Sequence, residues 1–518
     1  MDFTRRSALA AGTLLGMAGL FPPLAARAQS APAVKRGGTI TASMDLEPVS
    51  LYPLKGNAPG VDRYIMNQIF DALFRIEPDG SISPGLATKY EYSDDNKVLT
   101  LTLRAGVKFH DGTPFDAEAA AFNIMAANDP KTVATHAKDL AEIDKAEAID
   151  PTTLRLTLKK PSGAILAVLG TEPAMMCSPT AMREKGDAFG RNPVGTGPFK
   201  FKSWASGEAI ELDRFEDYWE KGQDGKSLPY LDGMKMRFIS NNATKIIEMQ
   251  GGNLTLADAI TPRDAEKLKS DARIKLLDPP GGIQSWISFN TQKAPFDNVH
   301  VRRAIVAAIN RPALLQAIAL GKGATPPVMF APNEWAYSEK PAPSDYSVDL
   351  AKKELELAGV GPNFSCTLSV IQRDPDVQIA QILQAMLSQA GIKLNVQVSE
   401  RQAWVQSIMD AKFEIGLGRW AIPYPDPDQI CGSVLGRGAL NWANLRDDEI
   451  KGMAIKAAQS VDRETRKNVY HDIQSRLIDQ AYYLFLIMRG VNHISSSQLH
   501  GVRFESNGPW YLSSAYLA

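Results

Sequence analysis

Between Thr367 and Val398 the chain carries a pattern that few folds can accommodate. Thr367-Leu368-Ser369-Val370-Ile371 has the composition of a strand, and Asp374-Pro375-Asp376 opens a segment in which Ile379, Ile382, Leu383, Met386, Leu387 and Ala390 recur at helical spacing. Gly391 stops that helix, after which Ile392, Leu394, Val396 and Val398 alternate with Lys393, Asn395 and Gln397. Strand, helix and strand in so short a stretch predict a parallel pair, and parallel sheets need helices over their faces, so the fold class is α/β. Ligands collect outside the carboxyl ends of such strands. Gln372-Arg373 stands in that first turn, where a helix N-terminus favours anions and a guanidinium can grip a carboxylate in two places. A surface arginine paired with Asp374 or Asp376 is the other reading of the same residues.

Three further stretches carry recognisable chemistry. In the first, Val98, Leu99, Leu101 and Leu103 form a strand that ends at Arg104-Ala105-Gly106, Asp111-Gly112-Thr113-Pro114 is a turn, and Asp116 opens a helix over Ala117 to Met125. His110 lies in this turn with no His or Cys at ligand spacing, so it is read as a packing or hydrogen-bonding group rather than a metal ligand or an acid/base. In the second, Asn192-Pro193-Val194-Gly195-Thr196-Gly197-Pro198-Phe199 must be irregular, and it lacks the spacing and Lys-Ser/Thr ending of a phosphate loop. Phe199 and Phe201 then alternate with Lys200 and Lys202, as in a strand with one buried face. In the third, Phe289-Asn290 leads through Pro295-Phe296-Asp297 to a helix with Val301, Ile305, Ala308 and Ile309 on one face. Arg302 and Arg303 lie off that face and are read as solvated charges, with anion binding as the alternative.

Composition narrows the class further. At 518 residues, 44% hydrophobic and 22% charged, the chain is an ordinary globular one of two or three domains. Thr4-Arg5-Arg6-Ser7, the apolar run Ala8 to Leu20 and Ala26-Arg27-Ala28 read as a signal peptide of residues 1–28, similar to a twin-arginine leader; the ordinary secretory route is the alternative. Without residues 1–28 the chain keeps 54 basic against 57 acidic side chains, which offers no footprint for nucleic acid. Cys177, Cys366 and Cys431 form no C-x-x-C pattern, so neither a zinc site nor a redox pair is expected.

The stretch Leu103 to Asn123, the segment 192–199 continuing to Asp217-Tyr218-Trp219, the segment 289–311, and Gly418-Arg419-Trp420-Ala421-Ile422-Pro423-Tyr424-Pro425-Asp426-Pro427-Asp428 together resemble the family 5 extracellular solute-binding proteins, the dipeptide, oligopeptide and nickel group that feeds ABC importers. The resemblance implies a periplasmic binding protein fold of two lobes with a ligand cleft plus an extra inserted domain. It would divide the chain into a discontinuous lobe I of residues 29–70, 188–279 and 490–518, an extra domain of residues 71–187, and a lobe II of residues 280–489. It also implies a monomer without cofactor, metal or nucleic-acid partner, located in the periplasm, which captures a peptide or peptide-like solute and docks on the permease subunits of an ABC importer. Ligand-binding residues expected from it are Arg373, Trp420, Tyr424, Trp286, Asn57 and Asp426.

One position departs from the peptide binders that the chain resembles. They carry, three residues after the matching Trp, an Asp that holds the ligand's α-amino group; here that position is Pro423. The departure opens a second reading, a non-peptide anionic solute such as an opine-like conjugate or a metal chelate. A secreted hydrolase using Asp426 and Asp428 as paired acid and base is a third, but no nucleophile elbow, H-E-x-x-H helix or phosphate loop accompanies them. For the leader, N-terminal sequencing of the exported protein is expected to begin at Gln29, and Arg5→Lys with Arg6→Lys to block export if the twin-arginine route is used.

Overall fold

The computed structural model describes residues 34–518, apart from 56–61, 128, 130–131, 133–138, 341, 362–363, 422–425, 436–440 and 507. The expected leader and the expected ligand-binding residues Asn57 and Tyr424, together with Pro423, lie outside the described residues.

Two large sheets dominate the fold. The five-stranded sheet has the order Lys393–Ser399, Ser365–Ile371, Ile415–Ala421, Ile283–Phe289, Tyr483–Arg489. Its strand pair 365–371 and 393–399 is parallel, in register from Ser365 opposite Lys393 to Ile371 opposite Ser399, and helix Asp376–Gln389 makes the crossover. Gly391 takes φ +78° where the helix ends, a left-handed conformation that costs glycine nothing. Both faces of this sheet are buried. Ile287, Leu368, Val370 and Leu417 pack under helices 299–307 and 376–389, while Trp286, Ile371 and Phe485 face helices 448–459 and 463–479.

The seven-stranded sheet has the order Ile274–Leu277, Asn492–Ser496, Leu256–Ile260, Thr39–Met44, Gly233–Phe238, Ala209–Arg214, Phe199–Ala205. Strand 39–44 runs parallel to both its neighbours, and strand 492–496 lies antiparallel between 256–260 and 274–277. Three stretches of chain far apart in sequence therefore share one sheet. A four-stranded antiparallel sheet, Ala87–Tyr92, Val98–Leu103, Thr153–Leu158 and Ile143–Asp150, stands beside it, with helix Ala117–Ala126 packed on strands 143–150 and 153–158. Leu99, Leu101 and Leu103 point inward as their alternation requires, and Asp116 caps the helix by accepting from the Ala119 N–H at 2.9 Å.

The turn at His110 joins two of the motifs read from the sequence. His110 Nδ1 accepts from the Gly195 N–H at 3.3 Å, which leaves Nε2–H to donate to the Gly197 carbonyl at 2.9 Å. Gly195 and Gly197 are needed there because a Cβ at either would come within 2.5 Å of the Ile69 backbone. Burial holds the imidazole neutral, pushing its pKa down to about 4. Arg63 plays a comparable part with charge: it is 1% exposed and bonds Glu172 at 2.6 Å and Glu505 at 2.5 Å, tying helix Arg63–Ile69 to two distant segments.

One expectation is overturned. Arg302 is not a solvated charge: it is 3% exposed, donating through Nε and Nη2 to the Gln480 carbonyl at 3.0 and 2.7 Å and through Nη1 to the Phe296 carbonyl at 2.7 Å. Arg303 donates to the Asp479 carbonyl at 2.8 Å. The pair sits at the carboxyl end of helix Arg463–Asp479, whose last carbonyls lack partners within the helix and carry the negative end of its dipole. Periodicity marked these arginines as off the apolar stripe but could not see a helix end arriving from elsewhere.

The buried neutral histidine gives a pH dependence with a definite sign. In the unfolded chain His110 takes up a proton below about pH 6.5, while in the folded protein it does not until about pH 4, so its contribution is complete above pH 6.5 and is lost as pH falls through this window. The slope is about 1.4 kcal/mol per pH unit for one such group. Urea unfolding of His110→Asn compared with the unaltered protein is expected to show a shallower loss of stability between about pH 6.5 and about pH 4.5.

Candidate functional site

The chain crosses between the two large sheets at Asp278 to Gly282 and again at Gly490-Val491. Both crossings leave the five-stranded sheet at one edge, because Ile283, where a strand starts, pairs with Ala421 and Arg489, where strands end. Ile371 ends its strand at the same edge. Whatever side chains stand there face the junction of the two sheets.

Three guanidinium groups stand there around one carboxylate. Arg373, just past its strand, donates Nε–H to Asp376 Oδ2 at 2.5 Å. Arg419 Nη1 reaches Asp376 Oδ1 at 3.4 Å and the Asp374 carbonyl at 3.2 Å. Arg489 has its Nε–H buried with no acceptor among the described residues. Asp376 is 2% exposed and opens helix 376–389, so the positive end of a helix dipole adds to the same place. Burial, helped by the neighbouring guanidinium groups and opposed by Asp376, pulls the Arg419 guanidinium down to about 10 and lowers that of Arg489. The cluster carries two positive charges more than its one carboxylate neutralises. Across the junction, at the facing edge of the seven-stranded sheet, Asp45 and Asp258 both bond the fully buried Lys245 ammonium, so the two carboxylates share one cation.

Strand alternation puts the aromatic groups on the other face of the same edge. Trp420 pairs with Gln284 while Arg419 pairs with Ser285, so Trp420 and Arg419 point to opposite sides. Trp286 is 3% exposed and meets Trp442 edge to face at 5.9 Å, over Gly418, where a Cβ would lie 2.7 Å from its ring. The indole N–H groups of Trp286, Trp420 and Trp442 are buried without acceptors. On this face a small cavity opens at the crossing. Gly281, Gly282, Gln284, Glu334, Trp335 and Met488 form one wall, and Asp79, Gly80 and Ser506 from outside the five-stranded sheet form the other.

Asp426 has a definite place. It caps helix Pro427–Val434, and both carboxylate oxygens are held by Arg466, at 2.8 and 2.5 Å. Arg466 also donates to the Gly163 carbonyl at 2.8 Å, and the Gly163 N–H donates to the Ala458 carbonyl at 2.8 Å. A Cβ on Gly163 would lie 2.2 Å from the Ser460 carbonyl, so only glycine lets these two segments touch. Of the residues expected at the site, Arg373 and Trp420 therefore share the edge, Trp286 lies in the adjoining aromatic cluster, and Asp426 is engaged by Arg466. Arg489 and Glu334 carried no local signal: one ends a strand and the other lies in an irregular stretch, and only the three-dimensional edge selects them. Among the described residues no group of acids, histidines and cysteines could hold a metal ion, and no helix is long and apolar enough to cross a membrane.

Residues 81–441 match the family model described as bacterial extracellular solute-binding proteins, family 5 Middle. A protein of Pectobacterium atrosepticum named glutathione-binding protein GsiB is 29% identical over 512 residues, covering 97% of this chain and 96% of its own length. Among solved structures, the periplasmic binding protein DppA from Helicobacter pylori in complex with the peptide STSA is 27% identical, with a TM-score of 0.77 over 93% of this chain and 98% of that one. The binding protein AgaA of A. tumefaciens R10 in complex with agropinic acid is 25% identical, with a TM-score of 0.77 over 93% of this chain and 99% of that one.

Arg466 is 4% exposed, and Asp426 holds its guanidinium above the ordinary value although burial works in the other direction. Asp426→Ala would leave that charge buried and unpaired, at a cost of about 3–5 kcal/mol. Urea titration of the variant is expected to show this loss, and replacing both partners with apolar residues to recover most of it.

Proposed function

Because the chain belongs to the bacterial extracellular solute-binding proteins of family 5, we propose that it captures a peptide or peptide-like solute bearing a carboxylate for delivery to the permease subunits of an ABC importer, working in the periplasm. The observation that carries the ligand's chemistry is the excess of guanidinium over carboxylate at the edge where the two sheets meet, with the Arg489 Nε–H lacking an acceptor among the described residues, beside Arg373 and Arg419. A ligand carboxylate placed there would offset one of the two excess charges and supply an acceptor, and a planar guanidinium can hold it through two parallel hydrogen bonds. The names of its relatives, which mention glutathione and a peptide, agree with such a solute. The opine-like alternative rests on Pro423 and finds support in the likeness to a protein holding agropinic acid.

Lobe I is proposed to comprise residues 29–70, 188–279 and 490–518, the extra domain residues 71–187 and lobe II residues 280–489, so that both crossings form the hinge. Trp286 and Trp420 would wall the cleft, with Asn57 and Tyr424 supplied from the loops beside it. Capture needs no covalent chemistry. Ligand touches both lobes only when they close, so it binds the closed form better, shifts the population towards it, and gives the permease a shape to recognise. A hydrolase is disfavoured because Asp426, its candidate base, has both oxygens committed to Arg466.

Calorimetry with glutathione and with the tetrapeptide Ser-Thr-Ser-Ala tests this reading. Each probe is expected to bind without being consumed. Arg489→Gln or esterification of the ligand carboxylates should weaken binding on the order of thirtyfold, since an enclosed charge pair contributes about 2 kcal/mol or more. Binding that ignores both changes would remove the anion site from the proposal, and turnover of the probe would replace capture by catalysis.

A further inference from the structure

We propose that Glu334 is the carboxylate that holds a ligand's ammonium group, in place of the acid that Pro423 displaces, so that the solute is a zwitterion held by its two ends on opposite faces of one sheet edge. The inference rests on the capture reading above and adds the second half of the ligand's chemistry.

The geometry comes first. Glu334 lines the cavity at the crossing together with Gln284 and Met488, which lie on the face of the five-stranded sheet opposite to Arg419 and Arg489. Met488 and Arg489 are consecutive, so the acidic cavity and the guanidinium cluster are separated by the thickness of one strand. No lysine or arginine is among the residues lining the cavity, and its other carboxylate, Asp79, comes from the opposite wall. Arg463 and Arg466 lie behind its wall, their guanidinium centres 5.2 and 5.3 Å from the ring of Trp335.

The other carboxylates around the junction have cations already. Asp376 is shared by Arg373 and Arg419, Asp426 is held by Arg466, Asp45 and Asp258 meet on Lys245, and Glu505 is bound by Arg63. Glu334 makes only a local bond, accepting from the Ala331 N–H at 2.5 Å within its own turn. A serine or an asparagine could close such a turn without burying an ionisable group. Burial pushes the Glu334 carboxyl up to about 8, the mark of a carboxylate without a countercharge. A ligand ammonium entering the cavity would supply that countercharge. Asp79 and Gly80 line the opposite side of the same cavity, so the ammonium would be felt by both walls.

The test compares amine-bearing probes with their N-acetyl forms by calorimetry. For glutathione and Ser-Thr-Ser-Ala, N-acetylation is expected to weaken binding to the unaltered protein about tenfold or more, the effect of losing one charge-assisted hydrogen bond in an enclosed site. In Glu334→Gln the two forms of each probe are expected to bind alike, while the loss on esterification, which reads the guanidinium cluster, stays as large as before. Asp79→Asn, a change at an exposed turn, is expected to narrow the discrimination about threefold, and it serves if Glu334→Gln does not fold. Equal binding of acetylated and free forms to the unaltered protein overturns the inference, as does undiminished discrimination in Glu334→Gln or, where that variant does not fold, in Asp79→Asn. Failure of every probe to bind overturns instead the capture reading on which it stands.

Discussion

The chain passes between its two large sheets only at Asp278 to Gly282 and Gly490-Val491, and this constraint sets everything that the site can be. Because both passages leave from one edge of the five-stranded sheet, that edge must face the partner sheet, and its strand ends are brought to the junction regardless of what they carry. Here they carry Arg373, Arg419 and Arg489. Pro279 and Pro280 remove two backbone donors from the first passage, Gly281 adopts φ +81°, and a Cβ on Gly282 would lie 2.8 Å from the Arg489 carbonyl. The two passages are thus held against each other while their neighbours stay in regular sheet.

Buried charge is used in two different ways in this molecule. Arg466 on Asp426 is a matched pair, while Arg63 between Glu172 and Glu505 and Lys245 on Asp45 and Asp258 are buried cations each shared by two carboxylates. Such groups are weak sources of net stability, since desolvation opposes their attraction, but removing one partner is expensive, so they pin the segments they join. Arg63 pins three stretches that are far apart in sequence, and Arg466 pins the loop at Gly163 to the helices of residues 448–479. The guanidinium cluster and Glu334 are unmatched by comparison. Rigid matched pairs around unmatched ones of both signs describe a molecule prepared to accept a third party.

Much of this was legible in the sequence where a pattern was local. The parallel pair and helix from Thr367 to Val398, the strand of Leu99 to Leu103 and the cap at Asp116 followed from periodicity and end signals. Arg373 was found because its turn has a local meaning. Both of its readings hold something of the structure, since it does pair with Asp376 and yet stands in a cluster of excess positive charge. Arg489, Glu334 and the role of Arg302 were illegible for one reason: each depends on a group more than a hundred residues away or on a wall built by another segment. The ion pair of Asp426 was equally out of reach, as its partner Arg466 is forty positions on along the chain.

Strand 492–496 lies inside the seven-stranded sheet, between strands 256–260 and 274–277, rather than at its rim. That sheet therefore cannot be completed until almost the whole chain has been synthesised, whereas the five-stranded sheet draws all its strands from residues 283–489. Assembly of the first sheet must wait with strand 39–44 already made and its edges open, because contacts spanning most of the chain are the slowest to form. The interval between synthesis of the first strand and arrival of the last is the period in which this protein is most exposed to unwanted strand pairing, and a holding chaperone would find its purchase there.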